Sequence, residues 1–412
     1  MFKCILYSKS RFRIILYSII SFFILNLHLS KAQSQSDSLS SALTTVGFEN
    51  VRVIYIENDL CISLEDNVFR WNIQGISSAL DIISKQVSEE GMLNLFLLKK
   101  GIPQITLQIP LHKYQDNKND SIINYEMYEK PYISYRLNKE WYSVKKVSKA
   151  NSNTYKTDIV VYPQLAMQNT TFNRIYEIQL NIAPALEFSC WKGMKFTGQV
   201  IIPIVNQLGH EGNFIRPGFV TLTQEFRMPG QWFVRATVGN FNANRYGGDL
   251  DINHYFADNL WNIGFNAGLT GFSYFYKRTW VTTNINTITW FAKAQYFYPG
   301  FNLQFNFTYG KFINGDFGFR TDLTRHFNAT SIGFYGMYTE GTPNGGFHFA
   351  IPLPPNKRKR LHNIRIVPPN YFDWEYNAGT EFYYGRYYET RPNENRSEHF
   401  LNLEYLRKKV SY

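Results

Sequence analysis

From Phe301 to Tyr309 every odd residue is apolar (Phe301, Leu303, Phe305, Phe307, Tyr309), and every even residue between them is polar (Asn302, Gln304, Asn306, Thr308). A period of two is the side-chain period of a strand, so this stretch carries one greasy face and one wet face. Asp316 to Phe327 repeats the pattern, with Phe317, Phe319 and Leu323 on one side and Asp316, Arg320, Asp322 and His326 on the other. Ile332, Phe334 and Tyr338 carry it further, and turn residues such as Ile313-Asn314-Gly315 separate the runs. Consecutive strands with aromatic outer faces and charged inner faces predict lipid outside and water inside. That is the pattern of an antiparallel transmembrane β-barrel.

The alternation begins at Thr157 and continues through Ile175 to Ile182, Phe196 to Ile204, Gly218 to Phe226 and Trp232 to Val238. Trp261, Ile263, Phe265, Ala267 and Leu269 alternate with Asn262, Gly264, Asn266, Gly268 and Thr270. The last strands are expected at Tyr376 to Tyr384 and Leu401 to Tyr405. Residues 157–412 thus read as a mainly β barrel of about twelve strands, each near the length of about 9–11 residues that a tilted strand needs to cross a bilayer. Aromatic residues make up 17% of the chain, which suits the girdles at the two membrane interfaces. The final Tyr412 is the kind of terminal residue that barrel-assembly machinery selects.

The N-terminus points the same way. Lys3, Lys9, Arg11 and Arg13 precede an apolar run from Ile14 to Leu29, and Ser30-Lys31-Ala32 supplies small residues for cleavage. Residues 1–32 therefore read as a signal peptide, since the run is short of the about 20 apolar residues of a spanning helix. Residues 33–46, rich in Ser and Gln, are expected to form a flexible lead-in. Residues 47–112 read as a small periplasmic α+β module. Its strands are Phe48 to Ile56, Leu60 to Leu64, Leu93 to Leu98 and Ile102 to Ile109, with Ile76, Leu80, Ile83 and Val87 at helical spacing between them. Residues 113–156 lack clean periodicity and are expected to be a connector.

The formal charge is +11, and removing the five cations of residues 1–32 leaves a mild +6. The aromatic residues follow strand period instead of a base-stacking pattern, so nucleic acid is not an expected partner. Cys61 and Cys190 are too distant to suggest a disulfide framework. No P-loop, dinucleotide fingerprint, G-x-S-x-G or HExxH motif is present, and no cofactor or metal is expected. Asp249-Leu250-Asp251-Ile252-Asn253 looks faintly like a calcium loop, but His254 stands where that loop needs Gly, so a strand edge or surface loop is the expectation. Two constellations stand out. Arg320, Asp322 and His326 share one strand face and form either a lumen patch for a sugar chain or an ion-pair brace of the wall. Lys357, Arg358, Lys359 and Arg360, with Arg365, form either a solvated loop or a contact for a polyanion such as lipopolysaccharide phosphate.

The central block resembles the YjbH-type proteins of exopolysaccharide and capsule gene clusters. The resemblance is carried by Gly310-Lys311-Phe312, Gly315-Asp316-Phe317-Gly318 and Asp322-Leu323-Thr324-Arg325-His326-Phe327. Tyr338-Thr339, Gly345-Gly346-Phe347 and Ile351-Pro352-Leu353 follow in the family's order, with Phe312 standing where the family has Tyr. Phe48-Glu49-Asn50-Val51-Arg52-Val53, Phe69-Arg70-Trp71 and Gly101-Ile102-Pro103 resemble its periplasmic module. The resemblance implies a non-enzymatic bacterial outer-membrane barrel in export or assembly of a surface polysaccharide. Its implied partners are membrane lipid and lipopolysaccharide, the exopolysaccharide chain and periplasmic polysaccharide-export proteins. An exported polysaccharide-modifying enzyme and a secreted β-rich adhesin are the alternatives.

Overall fold

The computed structural model describes residues 33–87, 91–111, 132–169, 176–256, 260–378, 383–393 and 402–410. The expected signal peptide lies outside them. Residues 33–46 form a helix, α1, where composition predicts a flexible lead-in. Leu39 and Leu43 stand one turn apart on it and are fully buried. Two leucines on one stripe hold the segment against a core that its polar remainder gives no hint of.

Strands β1 (Glu49–Ile56) and β2 (Asp59–Glu65), helix α2 (Asn72–Gln86), and strands β3 (Met92–Lys99) and β4 (Ile102–Pro110) follow, close to the expected bounds. β1–β2 and β3–β4 are antiparallel hairpins, while β2 and β3 pair in parallel with α2 as the crossover. Lys100 and Gly101 both take left-handed backbone angles (φ 51° and 73°), the conformation that a tight two-residue hairpin demands. The stretch expected as connector completes this sheet. β5 (Tyr132–Ser134) covers the edge of β4, and the short helix Trp141–Val144 packs Trp141 and Val144 against Cys61 and Phe96. A bare β4 edge would be a template for stray pairing, which β5 removes.

The second sheet has fifteen strands. They are β6 (Thr157–Asn169), β7 (Tyr176–Phe188), β8 (Met194–Asn206), β9 (Arg216–Met228), β10 (Trp232–Asn240), β11 (Arg245–Tyr255), β12 (Trp261–Tyr276), β13 (Thr279–Thr282), β14 (Thr287–Tyr298), β15 (Leu303–Lys311), β16 (Phe317–Phe327), β17 (Thr330–Thr339), β18 (Thr342–Pro352), β19 (Ile364–Val367) and β20 (Tyr371–Asn377). β6 to β18 form an antiparallel meander in chain order, with β13 as a hairpin extension of β12. β20 pairs antiparallel with β18, and β19 pairs parallel with β6 at the opposite end. Only Pro368-Pro369-Asn370 separate β19 from β20, so four Cα steps of about 3.8 Å limit the gap between the two ends to about 15 Å. Cα atoms of β20 and β6 indeed come within 8 Å. The sheet therefore curls round on itself, and β6 and β20 run in the same direction.

Thirteen strands remain when the short β13 and β19 are set aside, against about twelve expected. Two expected strands are corrected. β20 ends at Asn377, residues 379–382 lie outside the description, and 383–393 are not a strand. Leu401–Tyr405 is also not a strand, since Leu403–Val410 is helical.

Burial on the curled sheet is inverted relative to a water-soluble protein. Along β16 Phe317, Phe319, Leu323 and Phe327 are exposed, while Arg320, Asp322, Thr324 and His326 are buried. β17 repeats this, with Ile332, Phe334 and Tyr338 outward and Ser331, Tyr335 and Thr339 inward.

The first sheet sits at one rim of the second. Lys100 pairs with Glu225 at 2.9 Å, and Arg227 donates to the carbonyls of Pro103 (2.8 Å), Gln104 (2.9 Å) and Tyr135. The Tyr255 ring packs tilted against Tyr135 with centres 4.2 Å apart, and Phe297 enters the module's apolar core. These anchors come from β9, β11 and β14, so the module sits against the rim at that part of the curled sheet.

Inside the module Asp66 accepts hydrogen bonds from the backbone N–H groups of Val68 (3.0 Å) and Phe69 (2.9 Å) through Oδ1. Its Oδ2 is buried with no partner among the described residues, in a space that a side chain at Gly75 would fill. Burial holds this carboxyl up at about 7, against the pull of the two N–H donors and Arg365. An unfolded Asp titrates near about 3.9, so the folded state holds the proton more tightly. The resulting stability is complete below about pH 4 and is lost as pH rises to 7. Pulse proteolysis in urea should show the module losing on the order of a few kcal/mol across that window. Asp66→Asn should flatten the dependence; an unchanged slope would contradict this assignment.

Candidate functional site

The polar face of the curled sheet encloses the site. Arg320 and Asp322 stand two residues apart on β16 and so share that face. The Arg320 guanidinium donates to Asp322 Oδ1 at 2.8 Å and, from its other side, to Glu375 Oε1 and Oε2 of β20 at 3.0 and 2.7 Å. It also lies 3.9 Å from the centre of the Tyr335 ring. A planar fork between two carboxylates and over an aromatic face is a geometry that Arg alone among the cations provides. His326 does not join this group. Its Nε2 faces Gln304 Oε1 at 3.0 Å, nearer the module, whereas His348 approaches Asp322 at 3.9 Å.

A second network lies across the interior on β10, β11 and β14. Asp251 pairs with Arg235 (3.0 Å) and Lys293 (2.6 Å). Asp249 accepts from Tyr388 (2.9 Å) and Asn266 (2.9 Å). The Asp249–Asn253 stretch is therefore neither a strand edge nor a surface loop. It lies within β11 with both carboxylates inward, because residues two apart on a strand share a face. Among the described residues no His/Cys/Asp/Glu group is arranged to hold a metal ion. Cys61 and Cys190 are free thiols; burial pushes Cys61 up to about 12, which leaves it an unreactive thiol.

The basic loop is the main correction. Arg358 is buried, and its guanidinium donates to the carbonyls of Leu353 (2.9 Å), Pro355 (3.0 Å), Pro368 (2.8 Å) and Pro369 (3.0 Å). Arg365 binds Asp158 (2.7 Å) and the Asn67 carbonyl (2.6 Å), and Arg360 binds Asp158 (2.5 Å). Lys357 lies over the Phe69 ring at 5.5 Å and forms a backbone bridge to it. Arg358 thus folds the Pro354-to-Arg365 loop onto its own proline linker, and Lys357, Arg360 and Arg365 pin it to β6 and the module, leaving exposed Lys359 as the remaining candidate for a polyanion. Clustered guanidiniums are spent here on carbonyls that prolines and a non-repeating backbone leave unpaired.

Residues 383–393 run through the interior, which the alternation does not reveal. Asn314 donates to the Tyr383 carbonyl at 2.6 Å, and Asp316 accepts from the Gly385 N–H at 2.6 Å, both at the rim away from the module. Tyr388 then stacks on Phe241 with ring centres 5.2 Å apart. Glu389 and Asn242 exchange two hydrogen bonds (2.6 and 2.9 Å), and Asn393 reaches the Tyr371 carbonyl (2.6 Å) at the module-side rim. Past it, Leu403, Tyr405 and Leu406 lie in the module core. The segment crosses from one rim to the other and splits the interior into cavities of about 410 and 1020 Å³. Asp373, Glu375 and Glu389 line both.

Neither a scan of protein-family models nor a search of curated proteins finds a match to this sequence.

Every interior ion named above has a counterion or hydrogen-bond partner, so the networks brace the strands that carry them. Arg320→Met would leave Asp322 and Glu375 without their shared cation, a loss of about 3–5 kcal/mol for a buried pair. The melting of the β-sheet circular dichroism signal in detergent should shift down accordingly, and Arg320→Lys should recover only part of it. An unshifted melt would show that the network carries no stability.

Proposed function

We propose that the curled sheet is a closed outer-membrane β-barrel and that the chain takes part, without catalysis, in export or assembly of a surface polysaccharide. The observation that carries the barrel reading is the inverted burial. Exposed Phe, Tyr, Leu and Ile side chains form a continuous band on neighbouring strands. Water-soluble monomers rarely expose apolar patches above a few hundred Å². Hydrocarbon is the solvent that makes such a face favourable, at about 25 cal/mol per Å² removed from water.

Closure is supported by the three-residue link between β19 and β20 and by an interior segment that needs a wall all round it. In a bilayer a cylinder without free edges also removes the cost of unpaired backbone groups. The likeness of residues 310–353 to YjbH-type proteins supports the polysaccharide role, and that of residues 48–53, 69–71 and 101–103 to the family's module supports a periplasmic position for the first sheet. The module over one rim and the segment 383–393 inside favour an accessory that guides or tethers polymer over an open export pore.

Outer-membrane fractions run unheated on a denaturing gel should show a compact band that converts to full apparent mass on boiling. Recovery in the soluble fraction with no mobility change would defeat the proposal. Phe334→Arg, on the outward face, should lower the assembled fraction at a cost of about 2–4 kcal/mol if it sits near the midplane. A deletion strain should lose surface polysaccharide staining, and wild-type staining would remove the export role while leaving the barrel.

A further inference from the structure

The two interior cavities differ in chemistry. The smaller one is lined by the paired charges of Arg320, Asp322 and Glu375 and by Arg235 and Lys293. The larger, about 1020 Å³, lies toward the rim away from the module, and its wall combines neutral amides with aromatic rings. Gln164, Gln179, Asn181 and Gln199 point inward from β6, β7 and β8, two residues apart where they share a strand.

These amides are weakly engaged. Asn181 reaches Gln164 at 3.3 Å, and Gln199 touches the Ala183 carbonyl and the Phe219 N–H at 3.4 Å each. Each amide offers two donors and two lone pairs, so the wall keeps unused capacity of both signs. At the mouth, Trp280 is oriented by a hydrogen-bond chain. Its Nε1 donates to Ser273 Oγ (2.7 Å), which donates to Asn240 Oδ1 (2.6 Å). The half-exposed indole is thereby fixed as a flat apolar platform beside the amides.

We propose that this chamber binds an uncharged oligosaccharide. Sugar hydroxyls donate and accept at once, which matches amides, and the C–H face of a pyranose ring packs on an aromatic surface. The volume is at the upper end of the roughly 300–1,000 Å³ range of ligand sites, room for several sugar rings. The charge balance excludes uronic acids as the preferred ligand. Arg216 is the one cation and Asp373, Glu375 and Glu389 the three carboxylates among the lining residues, and with Glu375 held by Arg320 the wall stays mildly acidic, which disfavours a carboxylated polymer. The inference rests on the barrel reading and narrows its polymer to a neutral one at this site.

The test uses the full chain in detergent, titrated with neutral hexasaccharides of glucose, mannose and N-acetylglucosamine and with hexagalacturonate, following tryptophan fluorescence and calorimetric heat. At least one neutral hexasaccharide should bind at least tenfold more tightly than hexagalacturonate. Trp280→Ala should weaken it at least tenfold, with the heat-dependent gel shift retained. No neutral binding with the gel shift intact would overturn this inference alone, as would tighter binding of hexagalacturonate or an unaffected Trp280→Ala. Loss of the gel shift in the unsubstituted chain would overturn the barrel reading and this one with it.

Discussion

The outward face of the large sheet decides the rest of the molecule. Once Phe305, Phe307, Phe319, Phe334 and their neighbours point away from the interior, no element among the described residues covers them, and the polar halves of the same strands must face one another. The interior then cannot be an apolar core. It has to be held by hydrogen bonds and ion pairs, which are costly when incomplete and strong when complete. The Arg320–Asp322–Glu375 and Asp251–Arg235–Lys293 groups meet that demand. Each also reaches beyond the adjacent strand, Asp251 of β11 to Lys293 of β14 and Arg320 of β16 to Glu375 of β20, so each ties together strands that do not pair directly.

The module and the tail answer a second demand, that of the seam. β6 and β20 run in the same direction and end the meander without the antiparallel pairing found between the other long strands. Around that region the chain concentrates Arg358, Arg360 and Arg365, which tie β19, the proline linker and the module together. Residues 383–393 cross the interior, and the helix Leu403–Val410 that follows sits with α1 and α2 in one apolar core. Module, rim and interior are thus linked through a single C-terminal stretch.

What the sequence made legible follows from which interactions are local. Period two along β16 and β17 and period 3.6 along α2 are properties of single elements, so those strands, the module's order and the shared face of Arg320 and Asp322 could be read directly. The helix of residues 33–46 was hidden because two buried leucines among polar residues give little periodic signal. The partners Glu375, Tyr387 and Tyr388 lie far along the chain from β16 and β11, and no local pattern joins them. A run of Lys and Arg reads as solvated or anion-seeking by composition. That it satisfies backbone carbonyls instead depends on prolines and loops that pack only in three dimensions.

The central claim is that one face of these strands touches hydrocarbon and the other an enclosed aqueous space. A spin label walked from Ser331 to Tyr338 along β17, in a background with Cys61 and Cys190 replaced and the protein reconstituted in bilayers, measures this directly through collisions with oxygen and with a soluble nickel chelate. Positions 332, 334 and 338 should be accessible to oxygen and shielded from the chelate, with 331, 333, 335 and 337 showing the opposite or neither. Chelate access at 334 equal to that of a loop position, with no alternation along the strand, would contradict the account.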